Sequence, residues 1–86
     1  MADNLLTIIV IADDGEHASI EENQHSPLRQ LLAKAVRELY GLDKNIGEYE
    51  VVIGGVIQTN LDATLEQAGL HDGVEVVVQP TDVSKG

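Results

Sequence analysis

The chain has 86 residues, 43% hydrophobic and 23% charged, and fifteen acidic against five basic residues give a formal net charge of −10 at pH 7. That length holds one hydrophobic core and not two, and the composition is that of a folded domain. The charge argues against nucleic-acid phosphates and anionic membranes, which need clustered Lys and Arg; the lack of cysteine excludes disulfides, thiolate metal centres and cysteine nucleophiles.

Tyr40 and Tyr49 are the only aromatics, so the core must be aliphatic. After a short polar lead, residues 1–4, residues 5–12 form an apolar, β-branched run. It is too short for a typical helix and well under the roughly 18 residues of a membrane span. The run has no basic leader and no small-residue cleavage site, so it does not read as a signal peptide. A soluble, cytoplasmic protein is expected. The run itself predicts a central strand buried on most of both faces. Asp13-Asp14-Gly15-Glu16 supplies a hairpin turn. Residues 17–22 then alternate Ala18 and Ile20 against Ser19 and Glu21, which suits an edge strand.

Ser26-Pro27 predicts a helix start, with the Ser26 hydroxyl as cap and Pro27 in the first turn. Leu28, Leu31, Leu32, Ala35 and Leu39 fall on one apolar stripe, and Gly41 stops the helix. Four of the five basic residues lie between Arg29 and Lys44. Residues 48–53 predict a third strand, turned by Gly54-Gly55 into Val56-Ile57-Gln58. Thr64-Leu65-Glu66-Gln67 has the spacing of a capping box and predicts a short helical turn. After the turn His71-Asp72-Gly73, residues 74–79 predict the last strand, ended by Pro80.

One amphipathic helix and four or five strands make an α+β order in which a sheet covers a single apolar stripe. The ordered set of Asp-Asp-Gly turn, Ser-Pro helix start, residues 51–55, residues 64–70, Asp72-Gly73 and residues 74–78 resembles the ubiquitin-like β-grasp family over residues 5–79. The resemblance implies a mixed four- to five-stranded sheet packed on one α-helix, with the first and last strands parallel and adjacent at its centre. It divides the chain into a β-grasp domain, residues 1–79, and a flexible tail, residues 80–86.

Strand parity places Val51, Ile53, Val74, Val76 and Val78 toward the helix. In the arrangement that the resemblance implies, Ile9, Ile11, Val52 and Val77 then cluster on the other face, rimmed by Glu50 and Glu75. Isolated surface aliphatics are ordinary strand formers, whereas a contiguous set marks an interaction site. The acidic rim points to basic partners.

The resemblance also implies a function for the tail. Conjugated family members are activated at a terminal glycine, which has no Cβ and enters a slim catalytic channel. Gly86 is the expected conjugation point. The implied partners are an ATP-dependent activating enzyme, a conjugating enzyme, a deconjugating protease and target proteins, with the free protein monomeric. The implied setting is a bacterial conjugation system of the kind associated with antiviral defence. Lys34, Lys44 and Lys85 are the lysines on which chains could form. Two alternatives stand beside this reading: a non-conjugated β-grasp adaptor using the same face, and a sulfur carrier. The carriers usually end in Gly-Gly, which Lys85-Gly86 lacks.

Neither an enzyme nor a cofactor or metal site is expected. His17, His25 and His71 lie in or near turns without ligand spacing, and Asp13, Asp14 and Asp72 are turn formers. Gly54-Gly55 is no phosphate cradle, because no helix with a Lys follows it.

Overall fold

A computed structural model describes residues 4–81. It contains β1 (Leu5–Ile11), β2 (His17–Asn23), α1 (Leu28–Leu39), a 3-10 turn (Ile46–Glu48), β3 (Tyr49–Ile53), β4 (Val56–Ile57) and β5 (Glu75–Pro80). The five strands form one sheet in the order β2-β1-β5-β3-β4. β1 and β5 run parallel at its centre, and the other neighbouring pairs are antiparallel. β2 is an edge strand, as its polar alternation predicts. The expectations for residues 1–3 and for the tail over residues 82–86 lie outside the described residues.

Most turns follow from local chemistry. The β1–β2 hairpin is closed by Ala12 N–H donating to the Glu16 carbonyl at 2.7 Å, with Gly15 at φ 93°. Gly54 and Gly55 both have positive φ, 59° and 83°, which only a turn of mirror-image twist requires between β3 and β4. Thr64 and Gln67 form the reciprocal box. Gln67 N–H donates to Thr64 Oγ1 at 3.1 Å, and Thr64 N–H donates to Gln67 Oε1 at 2.9 Å.

The helix start differs from its expectation. Pro27, not Ser26, is the cap residue, and no side chain caps the helix. The free N–H groups of the first turn go instead to a distant loop. Leu28 N–H donates to the Ala63 carbonyl at 2.8 Å, and Arg29 N–H to the Leu61 carbonyl at 3.0 Å. Ser26 contributes its own carbonyl to Leu65 N–H at 3.0 Å. Tertiary contacts thus do the work of a cap. Strand limits also shift by one residue: β2 runs on to Asn23, β4 stops at Ile57 and β5 begins at Glu75. β1 ends at Ile11, β3 begins at Tyr49 because Asn45 Oδ1 caps the preceding 3-10 turn through Gly47 N–H, and β5 includes Pro80.

Ile8 and Val10 of β1, Val76 and Val78 of β5, and Val51 of β3 pack in one fully buried cluster with Leu28, Leu31, Leu32, Ala35 and Val36 of α1. Leu39 packs at its margin. Each buried Leu side chain contributes about 1.5–3 kcal/mol, so the helix is held by its stripe rather than by helix propensity.

Tyr40, just past the helix, ties three elements together. Its hydroxyl accepts from Asp13 N–H at 3.1 Å and lies 2.8 Å from both the Val78 carbonyl and Asp13 Oδ1, sharing one proton between them. Burial pushes its pKa up to about 12, and the Asp13 and Asp14 carboxylates push the same way. Tyr40 is therefore a neutral donor at physiological pH. Its ring packs against Tyr49 at a tilt of 40°, with centroids 4.7 Å apart. Tyr40→Phe keeps that ring pair but strands the Val78 carbonyl. Thermal unfolding should show a loss of about 1–2 kcal/mol, and unchanged stability would mean that water replaces the hydroxyl.

Candidate functional site

The face of the sheet opposite α1 carries the expected cluster. Register pairs Ile11 with His17 on β2 and with Val77 on β5, Val77 with Val52 on β3, and Val52 with Ile57 on β4. Paired residues share a face, so His17, Ile11, Val77, Val52 and Ile57 form one row across all five strands. Ile9, paired with Glu75, stands two residues along the same strand. Ile9, Ile11, Val52 and Val77 are each half-buried, and Ile57 is 43% exposed. Ile57 was absent from the sequence expectation. The Gly-Gly turn carries the β3 parity directly to it, and that was the signal available.

The rim departs from expectation. Glu75 is exposed beside Ile9, but Glu50 is only 8% exposed and accepts a hydrogen bond from Gln79 Nε2 at 2.6 Å. Glu50 is thus an internal partner of Gln79 rather than an open rim charge. Arg29 and Lys34 lie on α1 instead and are occupied there, Arg29 against Asp62 and Lys34 against Glu22. The two sides of the molecule therefore differ in chemistry. One is an aliphatic row edged by Glu75, and the other is a helix with charged pairs.

Glu22 is the buried acid that the sequence reading missed. Its side chain is 3% exposed, with Lys34 Nζ 2.7 Å from Oε1 and Gln30 Nε2 donating to Oε2 at 2.9 Å. Burial pushes its carboxyl up, but the Lys34 ammonium, the Ser26 hydroxyl and the Asn23 backbone outweigh it and hold Glu22 below its ordinary 4.5. Its alternation with Ala18 and Ile20 on the core side was the available signal.

The three histidines occupy separate places. His17 is in the row, His25 is 3.5 Å from Glu66, and His71 contacts the Asp72 carbonyl. Among the described residues no group of three or more His, Cys, Asp or Glu is placed to hold a metal ion. No helix among them is long and apolar enough to cross a membrane. Asp72 serves the fold, since its Oδ1 accepts from Thr7 N–H at 2.7 Å and extends the β1–β5 pairing.

No family model matches the sequence, and no curated protein does. Solved structures do match. The ubiquitin-like domain of Dsk2 from Plasmodium falciparum aligns with a TM-score of 0.75 at 12% identity, over 88% of this chain and 97% of that one. This is the ubiquitin-like β-grasp fold. Ubiquitin of Caldiarchaeum subterraneum aligns with the same TM-score at 15% identity, over 88% of this chain and 92% of that one. A designed protein based on ubiquitin gives 0.76 at 15% identity, over 92% of each chain. At such identities the likeness concerns the fold.

Proposed function

We propose that this chain is a ubiquitin-like protein modifier that engages its enzymes through the β-face and is conjugated through Gly86. An ATP-dependent activating enzyme joins AMP to the Gly86 carboxylate and releases pyrophosphate. A cysteine thiolate then displaces AMP to give a thioester, and after transfer to a conjugating enzyme a target lysine amine displaces the thiolate. A deconjugating protease hydrolyses the resulting isopeptide bond. The bacterial setting and the role in antiviral defence belong to the same reading and rest on the family resemblance alone.

The observation that supports it best is the unbroken row Ile11–Val77–Val52–Ile57 on the helix-free face, because contiguous apolar surface on a small domain marks a docking site. Gly86 follows Pro80, the last residue of the central strand β5, by six residues. The same face equally suits an adaptor that binds partners without conjugation.

Incubation with the cognate activating enzyme and ATP, followed by intact-mass measurement, separates these readings. A thioester and then an amide adduct are expected. Partner binding with no adduct would replace the modifier with the adaptor, and an oxygen-for-sulfur mass gain would replace it with the sulfur carrier.

A further inference from the structure

Two of the three lysines, Lys34 and Lys44, lie among the described residues, and they stand in opposite environments. The Lys34 ammonium sits 2.7 Å from Glu22 Oε1 and donates to the Glu21 carbonyl at 3.5 Å. Acylating Lys34 would remove the cation facing a carboxylate that is 3% exposed. Leaving such a group without its counter-charge is costly, because water cannot replace the lost partner.

Lys44 has no such tie. It lies in the exposed turn after α1 and, among the described residues, takes part in no ion pair or hydrogen bond. Two residues before it stands Leu42, 81% exposed. That aliphatic side chain offers an apolar grip on the same exposed turn.

We propose that Lys44 is the acyl-acceptor lysine of the folded domain, and that Glu22 withholds Lys34 from the same chemistry. The donor class is a thioester or another activated ester of a carboxylic acid. The unprotonated Lys44 amine attacks the acyl carbon, a C–N bond forms, the C–S bond breaks and a thiolate leaves. The amine proton passes to solvent, and nothing is oxidised or reduced. As the branch point of modifier chains the inference rests on the function proposed above. As a difference in amine reactivity it does not.

The full chain is treated with a limiting amount of the N-hydroxysuccinimide ester of acetate, and acyl occupancy is read at each lysine by peptide mass mapping. Lys44 should exceed Lys34 by at least about tenfold, since Lys34 must first leave a buried partner. In concentrated urea, where the pair is gone, the ratio should fall toward unity, and Glu22→Gln should raise Lys34 labelling in the folded protein. Comparable labelling of the two lysines in the native wild type overturns the proposal. So does a ratio that urea leaves unchanged. With activating and conjugating enzymes and ATP, branches at Lys44 support it and branches at Lys34 overturn it. If no conjugate forms at all, the modifier reading fails while the reagent ratio still decides this one.

Discussion

Deleting Gly86 is expected to abolish adduct formation completely while leaving partner binding intact. In the modifier reading proposed above, the activating enzyme acts on a carboxylate carried by Gly86, and the deletion would place it on Lys85, whose long side chain would obstruct a slim channel that glycine enters freely. The apolar row proposed as the docking face is untouched, because Ile11, Val77 and Val52 lie on β1, β5 and β3. Val77→Thr should do the opposite. It keeps the β-branched shape that the central strand favours but places a hydroxyl in the middle of the row. Binding should weaken about tenfold, the scale of one modest interface contact. At saturating enzyme the adduct should still form. Glu75→Lys tests the sign of the partner's charge, since Glu75 is exposed and its replacement leaves the core alone. A basic partner should then bind more weakly, with a smaller dependence on salt. Adduct formation by the chain lacking Gly86, measured by intact mass, would remove Gly86 from the chemistry and leave the face as the functional element.

The pieces that were legible in the sequence are those whose cause is local. The Gly54-Gly55 turn, the Thr64–Gln67 box, the Gly41 helix stop and the Leu28–Ala35 stripe each depend on residues within two helical turns of one another. Alternation along each strand is local as well and separates Ile9, Ile11, Val52 and Val77 from their neighbours in sequence, but bringing the four together took the strand order that the family resemblance implies. What escaped depends on chain segments far apart. Ser26 looks like a cap because serine usually is one, but the carbonyls of Ala63 and Leu61 reach the first helical turn and take its donors. Glu50 looks like a rim charge until Gln79 on β5 closes over it. Glu22 looks like one more surface acid until Lys34 and Gln30 on α1 face it. In each case a polar group meets a partner whose position only the folded topology fixes.

The Glu22 pair also sets the response to acid. A carboxyl whose folded pKa lies below its unfolded value stabilises the protein above that unfolded value, and the contribution is lost as pH falls through the folded one. Glu22 is held below 4.5, so its share of stability is intact at neutral pH and drains away on acidification below 4.5. Lys34→Met should expose the cost of that buried carboxylate at pH 7. A fully buried pair broken on one side loses more, but the Lys34 side chain is 43% exposed and solvent already screens part of the attraction. The expected loss is therefore about 1–3 kcal/mol, or roughly 4–24 °C in Tm for a domain of this size. Glu22→Gln combined with Lys34→Met should recover most of it, because a neutral amide needs no counter-charge and still serves Gln30. The double variant should also lose the Glu22 part of the acid dependence, flattening stability below 4.5. Urea titrations of the wild type and both variants at neutral and acidic pH measure each of these terms. A Lys34→Met protein as stable as the wild type at pH 7 would mean that Glu22 finds solvent or another donor. Lys34 would then lose the protection from acylation that sets it apart from Lys44.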